Sequence, residues 1–108
     1  RYGDDGTGDI TTRQNIQLRG IRIEDIPNIF RKLKSVGLTS IQSGMDNVRN
    51  ITGSPVAGID ADELYDTREL CNQLQDTITN NGEGNPEFTN LPRKFNIAIG
   101  GCRDNSIH

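Results

Sequence analysis

LPRKFNIAIGG, residues 91–101, follows a polar loop and alternates between two kinds of side chain. This alternation predicts a strand with one apolar face and one hydrogen-bonding face. The apolar face comprises Phe95, Ile97 and Ile99, and the opposite face comprises Lys94, Asn96 and Ala98. An amine beside an amide on one face favours a ligand there, although an ordinary strand with a solvated outer surface has the same pattern.

Residues 10–23 alternate in the same way and predict a second strand. Its part-apolar face is Ile10, Thr12, Gln14, Ile16 and Leu18, and its donor face is Thr11, Arg13, Asn15, Gln17 and Arg19. Solvated strand faces usually mix acids with bases, but no acid occurs from residue 11 to residue 22. Two such strands in one short chain make a purely solvated surface a weaker explanation.

Two amphipathic segments, residues 24–37 and residues 66–82, predict helices. In the first, Asp25 is an N-cap candidate, Pro27 fits the first turn and Gly37 ends the helix. In the second, Asp66 and Glu69 resemble a capping box, and Cys71 falls on the apolar stripe. Together with the strands, these helices predict an α+β fold in which helices pack on a mixed sheet.

The segment between the predicted helices is mostly polar. Residues 39–42 could form a short strand, and the following SGMDNVRNITGSPVAG has too little periodicity for a long element. We expect a loop that carries Asn47, Arg49 and Asn50, because loops held by rigid elements often supply binding groups. Residues 82–92 predict a further polar loop with two prolines.

Composition limits the class of protein. The 108 residues are 31% apolar, lack Trp and begin with Arg, so we expect one partial domain, residues 1–108, cut from a longer protein. A net charge of −3 argues against non-specific nucleic-acid binding, and no apolar run is long enough to span a membrane. Cys71 and Cys102 are far apart without a CxxC pattern, so no metal site is predicted. His108 carries no information.

The cations suggest an anionic ligand. Five of them lie in glycine- and amide-rich stretches, largely without neighbouring acids, namely Arg13, Arg19, Arg49, Arg93 and Lys94. No Walker A pattern is present, Gly100-Gly101 is insufficient for a dinucleotide fingerprint, and Ser43 lacks a recognisable base. A large polycarboxylate held by several arginines, with a small anion beside it, is the option that remains.

Three ordered stretches carry a family resemblance: TTRQNIQLRG (11–20), SGMDNVRN (43–50) and LPRKFN (91–96). In order and spacing they resemble the siroheme-dependent nitrite and sulfite reductases, and GSPVAGID (53–60) extends the likeness over nearly the whole chain. Within that family, the likeness is greatest to the ferredoxin-dependent assimilatory nitrite reductases of cyanobacteria and plastids. The resemblance implies an oxidoreductase of nitrate assimilation, located in the cytoplasm or the plastid stroma.

The resemblance also implies cofactors and roles. Nitrite would be reduced by six electrons to ammonia on siroheme, which is coupled to a 4Fe-4S cluster and supplied by ferredoxin. Thr11, Arg13, Gln17 and Arg93 would bind the siroheme carboxylates. Arg49 and Lys94 would bind the substrate anion, and Asn96 would favour nitrite because sulfite reductases typically carry Lys there and sulfite brings more negative charge.

The chain departs from the family pattern in its cysteines. The family's cluster ligands form a later C-x5-C and C-x3-C arrangement that nothing in this sequence matches, so we expect the cluster ligands and one further substrate arginine outside this chain. We therefore predict that the chain alone neither binds siroheme tightly nor reduces nitrite. An assimilatory sulfite reductase and a non-catalytic tetrapyrrole- or anion-binding module are the alternatives.

Overall fold

The computed structural model describes residues 6–103, so residues 1–5 of the predicted N-terminal loop and His108 lie outside the described residues. The chain divides into two compact units between Ser40 and Ile41. Its elements, in order, are β1 (Gly8–Ile10), β2 (Ile16–Leu18), α1 (Ile26–Ser35), β3 (Thr52–Gly53), α2 (Arg68–Thr79) and β4 (Ala98–Ile99). Two helices combined with an antiparallel and a parallel strand pair confirm the predicted α+β class.

The first unit contains a β-hairpin where the sequence predicted one strand over residues 10–23. β1 pairs antiparallel with β2, with Ile10 opposite Ile16. The polar residues between them form a turn, closed by a hydrogen bond of 2.8 Å from Thr11 N–H to Asn15 O and helped by Gln14 at φ 60°. The single-strand prediction was wrong because these five polar residues favour a reversal over continued extension.

Helix α1 confirms the predicted helix, with shifted ends. A 3₁₀ turn at Ile23–Asp25 precedes it, Pro27 lies in its first turn, and Gly37 follows at φ 74°. Asp25 occupies the N-cap but makes no side-chain cap bond, since its carboxylate accepts from Arg22 Nε at 3.1 Å instead. Within the helix only Ile29 is buried, so the apolar stripe is covered at its centre and exposed towards its ends.

The second unit is built on a parallel pair of strands. β3 pairs with β4, Thr52 opposite Ala98, and an isolated parallel bridge joins Val48 to Phe95. Helix α2 lies between the two strands in sequence, so β3, α2 and β4 form the crossover that parallel strands need. The short strand predicted over residues 39–42 was wrong: this segment is irregular and ends in a turn with Gln42 at φ 54°.

Helix α2 starts two residues later than predicted. Thr67 is its N-cap, and Asp66 forms a local turn in which its carboxylate accepts from Arg68 N–H at 3.1 Å, so the predicted capping box is absent. The helix ends with Asn80 in the left-handed conformation. Ile78 is 5% exposed, and Cys71 is half-buried, as expected for the apolar stripe.

Burial along the final strand agrees only in part with the predicted faces. Ile97 and Ile99 are half-buried and Lys94 and Asn96 are exposed, but Phe95 is 57% exposed on the face predicted to be buried. Neither α-helix within residues 6–103 has the length and apolar character needed to cross a bilayer.

Candidate functional site

The predicted site residues fall in both units. Thr11, Arg13 and Gln17 belong to the first unit, and Arg49, Arg93, Lys94 and Asn96 belong to the second. The expectation that Thr11, Arg13 and Gln17 share one strand face was wrong. Thr11 and Arg13 lie in the hairpin turn, whereas Gln17 lies in β2 opposite Asp9.

The hairpin turn fixes the first group of candidates. The Thr11 hydroxyl accepts a hydrogen bond from Asn15 N–H at 3.2 Å, which ties that side chain to the turn. Arg13 is half-buried and Gln17 is exposed. Arg19, which the sequence grouped with cations lacking acids, pairs instead with Asp9 at 2.5 Å from Nε to Oδ2. That pair removes Arg19 from the group of cations without a neighbouring acid.

The second unit brings three candidates onto adjoining backbone segments. Arg49 N–H donates to Phe95 O at 2.8 Å, and Phe95 N–H donates to Asn47 O at 3.2 Å. These bonds place the backbone of Arg49 next to that of Asn96, and the backbone of Asn47 next to that of Lys94. The two paired segments lie about 4.8 Å apart. We call Arg49, Lys94 and Asn96 the cationic cluster.

One extra residue separates the cationic cluster from the sheet proper. Val48 pairs with Phe95 and Thr52 pairs with Ala98, so four residue steps along the first segment match three along the second. This offset is a β-bulge at Asn50 and Ile51. The ladder resumes where Thr52 N–H donates to Ile97 O at 3.1 Å. Bulges re-aim side chains, and this one directly follows Arg49.

Residues 41–47 are held firmly against the rest of the second unit. Gln42 links two segments, donating from Nε2 to Ile78 O at 3.3 Å and accepting from Asn85 N–H at 2.8 Å. Leu91 N–H donates to Asp46 O at 3.0 Å. These bonds hold Met45 at φ 57°, a left-handed conformation that costs a non-glycine residue about 1–2 kcal/mol. Backbone strain of this kind is common beside functional sites.

Asn47 carries a buried acceptor that the sequence did not single out. Its Nδ2 donates to Gly44 O, whereas its Oδ1 is buried and has no hydrogen-bond partner among residues 6–103. A buried acceptor left unpaired costs about 1–3 kcal/mol. The sequence placed Asn47 in a binding loop, but no pattern in the sequence reveals that one atom of its amide is buried and unpaired.

The two cysteines lie apart from any metal-binding arrangement. Within residues 6–103, no three His, Cys, Asp or Glu side chains group closely enough to hold a metal ion. Cys71 packs close to Gly53, and Cys102 Sγ donates to Ser54 Oγ at 3.5 Å. We therefore assign neither cysteine to a metal or cluster.

The environment of Cys102 disfavours the thiolate form of its side chain. The hydrogen bond with Ser54 lowers the pKa of the thiol, but desolvation and the nearby Asp60 carboxylate outweigh that effect. The pKa of Cys102 is therefore raised, and less thiolate is present near neutral pH.

Two family descriptions match this chain. Residues 44–108 match the "Nitrite and sulphite reductase 4Fe-4S domain", and residues 1–36 match the "Nitrite/Sulfite reductase ferredoxin-like half domain". The two matched ranges fall on either side of the division between Ser40 and Ile41. The two units of the structure thus correspond to two separately recognised parts of that family.

Individual relatives agree with this match. The chain is 79% identical over its full length to a ferredoxin–nitrite reductase of Leptolyngbya laminosa, of which it covers 21%. It is 58% identical over 104 residues, 96% of the chain, to a chloroplastic ferredoxin–nitrite reductase of Arabidopsis thaliana, of which it covers 18%. The chain therefore spans about a fifth of the length of these relatives.

A solved structure also resembles the chain. The NirA protein of Mycobacterium tuberculosis superposes with a TM-score of 0.82 at 37% sequence identity, over 94% of this chain and 18% of NirA. Nearly all of this chain thus has a counterpart of similar backbone structure in a known protein.

Proposed function

The chain belongs to the nitrite and sulphite reductase family, and on that premise we propose that it forms part of a ferredoxin-dependent nitrite reductase. The whole enzyme reduces nitrite by six electrons to ammonia, with siroheme and a 4Fe-4S cluster as cofactors. Residues 1–108 supply part of the siroheme domain, and the remainder of the enzyme chain supplies the cluster ligands. The enzyme acts in nitrate assimilation, in the cytoplasm or the plastid stroma, and ferredoxin is its electron donor.

The observation that carries this proposal is the cationic cluster. Parallel pairing of residues 47–49 with Phe95 brings the backbone positions of Arg49, Lys94 and Asn96 onto adjoining segments, which supports a shared role for their side chains. Two neighbouring cations repel each other unless an anion lies between them. A small oxyanion such as nitrite satisfies both cations, and Asn96 supplies a neutral donor.

The chemistry of the described side chains fits siroheme. Arg13, Gln17 and Arg93 end in guanidinium or amide groups, Thr11 ends in a hydroxyl, and none of the four carries a negative charge. Such groups donate to carboxylates, and a charge-assisted bond of this type contributes about 1.5–3 kcal/mol. Among residues 6–103, no three His, Cys, Asp or Glu side chains group closely enough to hold a metal ion. We therefore assign residues of this chain to the siroheme carboxylates and none to the cluster.

The cationic cluster has a definite task in the reaction. Siroheme, when bound, would supply the redox centre at which electrons from ferredoxin reduce nitrite. Arg49 and Lys94 bind the nitrite oxygens and offset the negative charge that grows on them. Lys94 also donates N–H groups from Nζ and is positioned in sequence to help deliver a proton to a leaving oxygen.

Substrate preference follows from the charge at position 96. Nitrite carries about one negative charge less than sulfite, so a neutral Asn96 beside two cations matches nitrite better than a third cation would. A lysine at this position would shift the preference towards sulfite.

The whole protein that carries this chain provides the test. Nitrite and sulfite reduction are measured with reduced ferredoxin for the unsubstituted protein (the parent) and for the variants Lys94→Met and Asn96→Lys. Lys34→Met, at an exposed position on α1, is the matched control. We expect Lys94→Met to lower kcat/KM for nitrite about a hundredfold, and the control to leave it unchanged. Asn96→Lys should raise the sulfite-to-nitrite ratio about tenfold.

Three outcomes would contradict the proposal. A parent protein that binds siroheme without reducing either anion would be a tetrapyrrole-binding module. A preference for sulfite in the parent would make it a sulfite reductase. An unchanged substrate ratio in Asn96→Lys would remove the charge argument for Asn96.

A further inference from the structure

We propose that Asn47 is a positioning residue for Lys94, and that its Oδ1 accepts a hydrogen bond from the Lys94 ammonium when the site is assembled. This inference rests on the proposed function, because it concerns how one of the substrate cations is oriented. It assigns a role to a residue that lies outside the cationic cluster.

The first argument is the state of the Asn47 amide. Oδ1 is buried without a hydrogen-bond partner among residues 6–103, while Nδ2 is committed to Gly44 O. The bond through Nδ2 fixes which end of the amide faces Gly44, so Oδ1 is directed away from it. Buried polar atoms in native proteins are almost always paired, which makes a donor for Oδ1 the expected finding.

The second argument is how firmly this position is held. Asp46 O accepts from Leu91 N–H and Asn47 O accepts from Phe95 N–H, so two consecutive carbonyl groups are tied to the segment that carries Lys94. Met45, immediately before them, is kept in the left-handed conformation. These backbone bonds restrain the main chain at Asn47, and the bond from Nδ2 to Gly44 O restrains its side chain.

The third argument is the cation on the paired segment. The Phe95 N–H bond to Asn47 O brings the backbone of Asn47 beside that of Lys94 on the paired segment. The two segments are about 4.8 Å apart. A lysine side chain is long and flexible and has three donor hydrogens, so it can reach an acceptor at this distance. An ammonium held by Asn47 Oδ1 keeps its other donors for the substrate.

The test separates the acceptor from the donor of the amide. In the whole protein, Asn47→Leu removes both Oδ1 and Nδ2, whereas Asn47→Asp keeps an acceptor at Oδ1 and loses the donor to Gly44 O. Asn72→Leu, at an exposed position on α2, is the matched control. KM and kcat for nitrite are measured, together with the rate at which an amine-specific reagent labels Lys94, read by mass spectrometry.

We expect Asn47→Leu to raise KM for nitrite about tenfold and to speed the labelling of Lys94 about threefold, because the ammonium is no longer held. Asn47→Asp should stay within about threefold of the parent in KM and should slow the labelling, since a carboxylate attracts the Lys94 ammonium and holds it. The control should match the parent in both measurements.

If Asn47→Asp and Asn47→Leu lose activity equally and label Lys94 alike, the bond to Gly44 O is what matters, and the positioning role is wrong. Labelling does not depend on turnover, so it reports on the Asn47–Lys94 contact even if the protein reduces no nitrite. A failure of the proposed function is thereby distinguished from a failure of this inference.

Discussion

Strand β2 of the hairpin and strand β4 of the parallel pair come from stretches with similar alternating sequences, but they have opposite kinds of partner. Every residue of β1 and β2 is exposed, and the strands pair across a five-residue turn. In the second unit, by contrast, Val48 and Thr52 are buried, and Thr52 bonds to Ile97 from 45 residues away. Alternation in a sequence thus predicts a two-faced strand, but it does not predict what pairs with it or which face becomes buried.

We expect the parallel pair to contribute more to the free energy of unfolding than the hairpin does. Pairing in the hairpin depends on nearby residues, and its apolar side chains contribute little burial, since Ile10 is 86% exposed. The parallel pair combines buried side chains with close backbone contacts. Substitutions in the two regions should therefore differ in their effect on the free energy of unfolding.

The largest effect on the free energy of unfolding is expected at Gly101, whose backbone lies close to that of Leu64 and Tyr65. The Gly101 carbonyl accepts from Leu64 N–H at 2.8 Å, and a Cβ at Gly101 would overlap the Tyr65 carbonyl oxygen. Gly101→Ala should lower the free energy of unfolding by about 3 kcal/mol, because backbone must move to admit the methyl group. Urea unfolding of the 108-residue chain measures this.

Gly44→Ala is the control for that substitution, since a Cβ on Gly44 meets no heavy atom within 4 Å. It should change the free energy of unfolding by less than about 1 kcal/mol. Equal losses for Gly101→Ala and Gly44→Ala would show that the contact with Tyr65 does not determine the cost.

A matched pair of threonine substitutions compares the regions directly. Val48→Thr places a hydroxyl at a position that is 7% exposed and should cost about 2 kcal/mol, whereas Ile16→Thr in the hairpin, at 66% exposed, should change stability by less than about 0.5 kcal/mol. Both free energies of unfolding come from urea titration. A cost at Ile16 as large as that at Val48 would mean that the hairpin is covered in the folded chain.

Removing the backbone strain at Met45, which has a positive φ, should have a smaller effect on stability and of opposite sign. Met45 is 79% exposed at φ 57°, so Met45→Gly removes a conformational penalty and loses little packing. We expect stability to rise by about 0.5 kcal/mol, measured by thermal unfolding. A lower melting temperature would indicate that the Met45 side chain makes a stabilising contact.

The smallest effect concerns the reactivity of Cys102. Because the nearby Asp60 carboxylate helps to raise the pKa of this thiol, Asp60→Asn should lower that pKa and increase the thiolate fraction at pH 8. Alkylation of Cys102 by iodoacetamide should then be about twofold faster. Asp76→Asn, at an exposed position on α2, is the control and should leave the rate unchanged. An unaltered rate in Asp60→Asn would remove Asp60 as a cause.

The helices were predictable because their signals are local. Spaced apolar residues, Pro27 and Gly37 place α1 to within a few residues of its observed limits. The same kind of local signal misled at residues 10–23, where alternation continues through a polar stretch that in fact reverses the chain. Distinguishing these cases requires the energy of the turn, which side-chain alternation does not contain.

The candidate site was predictable as a set of residues and not as an arrangement. The residue types and motifs make Arg49, Lys94 and Asn96 candidates in the sequence, but the proximity of their backbone segments depends on pairing of the kind that joins Thr52 to Ile97 across 45 residues. The β-bulge at Asn50 and Ile51 and the buried Oδ1 of Asn47 arise from that pairing. Features of this kind appear only when distant segments are placed together.

The long interval between the two paired segments also affects how the protein is made. Thr52 leaves the ribosome 45 residues ahead of Ile97, which at about 5–20 residues per second is a delay of roughly 2–9 s. During that delay the segment bearing Arg49 has no β-partner, while the neighbouring hairpin can already close. A nascent chain stalled before residue 95 should therefore be cut by protease around residues 48–53, and one released after residue 103 should be protected there.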